Sequence, residues 1–125
     1  MHKEWLKIDE ALVRSVNRVR RNGNRVVGVG TTVVRALETA SQNGDLVPFE
    51  GETDLYIYPG YRFRTEDALL TNFHLPRSSL LIMVSAFSGV GRIRGAYEHA
   101  LTEGYRFFSY GDCMILNKAK HPDDV

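Results

Sequence analysis

The chain opens on Trp5-Leu6-Lys7-Ile8, an alternation of period two that predicts a strand. Nothing nearby offers this strand a partner, so it reads as the end of a preceding element, with sequence missing upstream. The period then lengthens. Asp9 is a candidate N-cap, Leu12, Val13, Val16 and Val19 recur at helical spacing, and Gly23 fits the stop. Residues 25–29 are short and β-branched, as in a buried strand. Gly30-Thr31-Thr32 makes a turn into a second helix carrying Val33, Val34, Leu37 and Ala40, stopped near Gly44. Residues 45–52, with Pro48 and Gly51, predict a loop, and residues 53–58 a strand ending at Pro59-Gly60. Residues 68–73 predict a second short strand.

After Pro76, Ser78 or Ser79 can cap a helix through Leu80, Leu81, Met83, Val84 and Phe87, although so apolar a run fits a strand as well. Residues 92–103 predict a helix with Ile93, Ala96, Tyr97, Ala100 and Leu101 inward and Gly104 as its stop. Residues 106–110 predict a strand, and a turn at Gly111 leads into residues 113–116. Helix, strand, turn and helix in this order imply an α/β fold, a layered sheet with flanking helices. The chain divides into residues 1–8, a strand end or connection, residues 9–116, the α/β domain, and residues 117–125, a polar tail.

Composition narrows the class. With 125 residues, 43% hydrophobic and 25% charged, the chain has the balance of one soluble domain. Its apolar runs are too short for a membrane helix and its start lacks a signal-peptide core. A single cysteine, Cys113, excludes an internal disulfide framework and suits a reducing compartment, so the expected location is cytoplasmic. Net charge is +1, yet no acid falls between Glu10 and Glu38, where Arg14, Arg18, Arg20, Arg21, Arg25 and Arg35 all lie. That cluster is either a solvated helix face or a phosphate-facing patch for a nucleic acid.

Four segments carry candidate chemistry. In Gly28-Val29-Gly30-Thr31-Thr32-Val33-Val34-Arg35 a glycine turn opens a helix, where backbone N–H groups and the helix dipole favour an anion; Thr31, Thr32 and Arg35 add donors. The same segment lacks GxGxxG and a P-loop lysine, and also reads as a plain structural turn. The stretch from Asp67 to Arg77 gathers Asp67, Thr71, Asn72, His74 and Arg77, too polar for packing alone; His74 titrates near neutrality and suits proton transfer. In Tyr58-Pro59-Gly60-Tyr61-Arg62-Phe63-Arg64, aromatics alternate with arginines, and Tyr61 is either a base-stacking ring or part of a strand face. Asp112, after Gly111, is placed for chemistry at a sheet edge or for capping the next element. No spacing suggests a metal.

These runs resemble the S-adenosylmethionine:tRNA ribosyltransferase-isomerase family. The likeness is carried by Gly30-Thr31-Thr32-Val33-Val34-Arg35, Tyr56-Ile57-Tyr58-Pro59-Gly60, Asp67-Ala68-Leu69-Leu70-Thr71-Asn72-Phe73-His74-Leu75-Pro76, Val84-Ser85-Ala86-Phe87 and Tyr105-Arg106-Phe107-Phe108-Ser109-Tyr110-Gly111-Asp112. Cys113 stands where alanine is common, and Gly91-Arg92-Ile93-Arg94 is more basic than usual. The resemblance covers roughly the last third of a typical member. It implies part of a Rossmann-like three-layer domain, with the family's inserted β-barrel largely absent.

It further implies a cytosolic tRNA-modifying enzyme. Such an enzyme moves the ribosyl group of S-adenosylmethionine to 7-aminomethyl-7-deazaguanine in tRNA and rearranges it to epoxyqueuosine, releasing adenine and methionine. S-adenosylmethionine is consumed as a substrate; no cofactor and no metal are expected. The partners are that tRNA, S-adenosylmethionine and the amino-terminal part of the same protein, with no membrane. Motif position and group chemistry together assign Thr31, Thr32 and Arg35 to anion binding, His74 to proton transfer, Asp67 or Asp112 as base or amine anchor, and Asn72, Arg77 and Tyr61 to substrate binding. Two rivals stand beside this reading: a non-catalytic tRNA-binding module and a generic nucleotide-binding α/β domain. The assignments require the helix start at Thr31 to meet the turn at His74.

Overall fold

The computed structural model describes residues 2–120. Among them five strands and four helices form a mixed α/β fold with two sheets and no closed barrel. No helix among the described residues is long and apolar enough to cross a membrane.

The first sheet pairs β1 (Glu4–Ile8) with β3 (Phe49–Thr53) antiparallel, Glu4 opposite Thr53 and Ile8 opposite Phe49. The opening strand therefore has its partner within this chain, in a segment expected to be a loop. The strand expected over residues 53–58 ends at Thr53. Ile57 is instead fully buried in the main core, and residues 54–58 join no ladder. Local alternation marked a strand there, but cross-strand pairing chose the neighbouring stretch.

The second sheet has the order β2–β4–β5. Strand β2 (Val27–Val29) runs parallel to β4 (Ala68–Asn72), and β5 (Cys113–Asn117) is antiparallel to β4. Helix α1 (Glu10–Arg21) precedes β2; Asp9 caps it, its Oδ1 accepting from the Leu12 N–H at 2.9 Å. Helix α2 (Thr31–Thr39) leaves β2 directly. The apolar run after Pro76 resolves as α3 (Ser79–Ser88), because Ser78 Oγ accepts from the Leu81 N–H at 3.1 Å and starts a helix. In α4 (Val90–Thr102), Ile93, Tyr97 and Ala100 turn inward, whereas Leu101, expected inward, is 69% exposed.

Residues 106–110, expected as a strand, form turns instead, with Phe108 at φ 59°. The Asp112 carboxylate accepts from the Arg106 N–H and draws the two ends of the segment together. Residues 117–119, expected to open the polar tail, are bonded to β4, Asp67 and α3. Asn117 pairs with Ala68, the Lys118 N–H donates to Asp67 O, and the Ala119 N–H donates to Phe87 O. Residues 121–125 of that expected tail lie outside the described residues.

The main core joins α2, α3 and α4 to β4 and β5 through Val34, Leu69, Met83, Phe87, Ile93 and Leu116. A smaller core of Ile8, Val16, Leu37, Ala40 and Leu46 fixes α1 and β1 against the opposite face of α2. Helix α2 is thus gripped on both sides, which fixes where its amino terminus points.

Candidate functional site

Because β2 and β4 are parallel, their carboxyl ends reach the same sheet edge, and β5 enters at that edge from the other direction. Gly30 ends β2 with φ 92° and ψ 152°, and its N–H donates to Leu70 O at 2.9 Å. Only glycine adopts that conformation without strain. Helix α2 starts there with no side-chain cap and no acid in its first turn. Its opening N–H groups and dipole face the edge without a carboxylate to satisfy them. Thr31 is half-buried and Thr32 exposed at this helix start.

Strand β4 delivers Thr71 and Asn72 to the same edge and the chain then turns through Phe73 and His74. The His74 N–H donates to the Tyr97 hydroxyl at 2.8 Å, and its Nε2 lies 3.2 Å from Thr71 Oγ1. Burial lowers the His74 pKa from its ordinary value, so the ring is neutral at neutral pH, able to accept a proton. Burial likewise raises the Tyr97 pKa, keeping that hydroxyl protonated. Beneath the turn Phe73 meets the rings of Tyr97, Tyr105 and Phe107 at centroid distances of 5.3, 5.8 and 5.4 Å. The Phe108 N–H donates to Phe73 O at 2.9 Å and folds the 105–111 segment over the turn.

Asn72 stands opposite Cys113 in the ladder, and its Nδ2 donates to Asp112 O at 3.2 Å. Asp112 therefore sits at the same edge, its Oδ2 held by the Arg106 N–H and 3.5 Å from Arg106 Nε. Arg77 is exposed in the turn after Pro76 with φ 64°. Thr31, Thr32, Asn72, His74, Arg77 and Asp112 thus share one edge of the sheet or the turn just beyond it.

Three expected site residues lie elsewhere. Asp67 precedes β4 and His74 follows it, so the five extended residues of β4, about 17 Å long, lie between them. There Asp67 Oδ2 accepts from the Val26 N–H at 2.9 Å and Oδ1 lies 3.9 Å from Lys118 Nζ, clipping the far ends of β2, β4 and β5 together. Arg35 does not reach the helix start. The residue is 2% exposed, and its guanidinium is spent on Leu55 O, His2 O and Glu4 Oε1, the last at 2.6 Å. Tyr61 does not offer a free ring for a base. It stands edge-on to Phe63 with centroids 5.0 Å apart, donates to Glu38 Oε1 at 3.1 Å and accepts from Gln42 Nε2 at 2.8 Å. Burial first, then the Glu38 charge, push its hydroxyl up to about 12.

Tyr97, Glu38 and Glu66 were not anticipated as polar partners. Tyr97 occupies an inward helix position, where an aromatic reads as packing. Glu38 and Glu66 are fully buried. Glu38 accepts from the Tyr61 hydroxyl and the Arg64 and Thr65 N–H groups. Neither Glu66 oxygen has a partner, and burial, then the Glu38 carboxyl beside it, push the Glu66 pKa well above the usual range. Of the pair, Glu66 is the carboxyl pushed up. A signal for Glu38 existed in its spacing: it falls four residues after Val34, on the inward face of α2. Among the described residues no three or more His, Cys, Asp or Glu are grouped to hold a metal ion.

A family model described as "Queuosine biosynthesis protein" matches residues 1–116. The S-adenosylmethionine:tRNA ribosyltransferase-isomerase of Stenotrophomonas maltophilia is 60% identical over 116 residues, covering 93% of this chain and 34% of that protein. The protein of the same name from Coxiella burnetii is 52% identical over 117 residues, covering 94% and 34%. The crystal structure of S-adenosylmethionine tRNA ribosyltransferase from Thermotoga maritima superposes with a TM-score of 0.84 at 47% identity, over 89% of this chain and 40% of that one. The chain spans about a third of the length of the curated relatives it matches. With 116 of its residues matched in one run and the same fold in a relative of nearly half-identical sequence, the chain belongs to the queuosine biosynthesis protein family.

Proposed function

We propose that this chain supplies one face of the active site of a cytoplasmic tRNA ribosyltransferase-isomerase, the rest coming from the other two-thirds of a family member's length. The reaction moves the ribosyl group of S-adenosylmethionine to the aminomethyl group of 7-aminomethyl-7-deazaguanine in tRNA and yields epoxyqueuosine, with S-adenosylmethionine consumed rather than recycled. One observation carries the reading. The Gly30 N–H bonds Leu70 O, one residue before Thr71, so the uncapped start of α2 and the strand that leads into the His74 turn end at one sheet edge.

Each group there has a part that its chemistry suits. The α2 start, with Thr31 and Thr32, holds the methionine carboxylate, because uncapped N–H groups and the dipole both favour an anion. His74, neutral and hydrogen-bonded through Thr71, takes the proton from carbon beside the sulfonium or from the attacking amine. Asp112 anchors the amine, with Asn72 and Arg77 on the base or its phosphate. Asp67, Arg35 and Tyr61 hold the scaffold instead.

The test uses a polypeptide of the relatives' full length that carries this segment, incubated with S-adenosylmethionine and precursor-bearing tRNA, with adenine release followed by chromatography. His74→Ala is expected to lower turnover by at least the 10²-fold typical of a lost acid–base group, on the order of the effect general in such sites. Unchanged turnover would remove the histidine role. The 125-residue chain alone is expected to release no adenine.

A further inference from the structure

Helix α1 and the residue run after it carry Arg14, Arg18, Arg20, Arg21 and Arg25, all exposed. Arg14, Arg18 and Arg21 are spaced by four and three residues, which sets them in one outward stripe. The opposite side of the helix, through Val13 and Val16, packs with Ile8 and Leu37. Few acids offset this charge. Glu10 Oε2 is 3.8 Å from Arg14 Nη1 with both side chains exposed, a pair worth little in water. Asp45 lines a shallow hollow with Asn17, Arg20, Arg21 and Gly44. Some of the charge complements the carboxyl end of the helix, where Arg18, Arg20 and Arg21 lie in the last turn. That explanation does not reach Arg14, a turn and more earlier, or Arg25, beyond the helix.

The residue type is also informative. A guanidinium is always charged and presents a planar fork that fits a phosphate. An exposed arginine stripe of this density, with so little acid against it, is the footprint of a polyanion. The end of the stripe lies away from the start of α2: Arg25 precedes β2 and Gly30 follows it, so the strand sets them about 17 Å apart.

We propose that the α1 stripe of Arg14, Arg18 and Arg21, extended by Arg20 and Arg25, binds the phosphate backbone of a structured RNA at a distance from the reacting base. The proposal rests on the tRNA reading above and assigns the surface that carries the RNA. Such contacts position the RNA without reading its sequence.

The experiment measures binding of the chain to a fluorescein-labelled RNA stem–loop of anticodon-arm size, by anisotropy, between 50 and 200 mM salt as the ordinary range for such titrations. Four proteins are compared: wild type, the triple variant Arg14→Gln, Arg18→Gln and Arg21→Gln, the same three changed to Lys, and a control with Arg62→Gln, Arg92→Gln and Arg94→Gln, which are exposed elsewhere. The stripe Gln variant is expected to bind at least tenfold more weakly, with a log K against log salt slope shallower by about 2, the yield of three lost phosphate contacts. The Lys variant keeps most of that slope, and the control stays within about twofold of wild type. Equal losses in the control would reduce the effect to net charge and overturn the proposal. So would a stripe variant that binds like wild type, or a wild type that shows no salt-dependent binding. Glutamine has nearly the helix propensity of arginine, so the helix is expected to survive, with an unchanged unfolding midpoint as the check. Adenine release reports on the reaction separately. A dead reaction with stripe-dependent RNA binding would sink the enzymatic reading and leave this surface standing.

Discussion

The backbone N–H of Gly30 donates to the carbonyl of Leu70 at 2.9 Å, joining the helix-opening turn of α2 to the strand that carries Thr71, Asn72 and His74. Two segments forty residues apart in the chain are thereby set side by side, and the parallel β2–β4 pairing keeps them in register. The conformation of Gly30 is what permits it.

Gly30→Ala is expected to destabilise the fold by about 1–3 kcal/mol, the usual cost of a non-glycine residue in such a region. A Cβ there would meet nothing within 4 Å, so the loss is backbone strain and not a clash. Denaturant unfolding measures it, and a variant as stable as wild type would show that the turn can relax.

His74 is expected to titrate below its ordinary value, because burial disfavours its charged form. In the unfolded chain it binds a proton more readily, at about pH 6.5. Its contribution to stability is therefore present above that pH and is lost as pH falls through the lowered folded value. Imidazole proton shifts followed by NMR against pH should give a midpoint under that of a model histidine. A midpoint at or above it would contradict the burial argument.

The Glu38–Glu66 pair predicts the opposite slope. The Glu66 pKa is raised above its unfolded value of about 4.3, so its contribution is fully present below that pH and declines as pH rises toward the folded value. Glu66→Gln keeps the shape without the titration and should flatten the decline, leaving the variant at least as stable as wild type at pH 8 on the order expected for a removed buried acid. Glu38→Gln sets an amide against the Tyr61 hydroxyl and the Arg64 and Thr65 N–H groups, and should cost about 2–3 kcal/mol. Melting curves across pH distinguish the two variants.

Arg35→Ala is expected to cost about 3 kcal/mol, since it strips buried partners from Leu55 O, His2 O and Glu4 at once. Arg35→Lys should recover little of this, because an ammonium cannot bridge the same carbonyl with two nitrogens. Chemical denaturation is the measurement. A stable Arg35→Ala protein with impaired binding of S-adenosylmethionine would return Arg35 to the site.

Asp67→Asn should lower stability by about 1 kcal/mol through its bond to the Val26 N–H and leave turnover in a full-length protein unchanged. A large drop in turnover at unchanged stability would bring Asp67 back as a base.

The order of residue types is enough to set the local grammar of this chain. Asp9 and Ser78 start helices by accepting from N–H groups three residues on, Gly23 and Gly104 follow helix ends with positive φ, and residues 68–72 extend as the spacing required. These features depend on neighbours within a turn of chain, so the residue types carry them. The motif runs likewise sufficed for the family. Which polar side chains come to the edge depends instead on how distant elements pack. Asp67 and His74 belong to one motif as read along the chain, yet an extended strand holds them at opposite ends of the sheet. Arg35 follows the glycine turn by five residues, yet its partners are Leu55, His2 and Glu4, twenty or more residues away. The Glu66 pKa is raised by burial and by Glu38, on another element. Long-range pairing is set by how elements pack, and no local pattern encodes the partner that packing supplies.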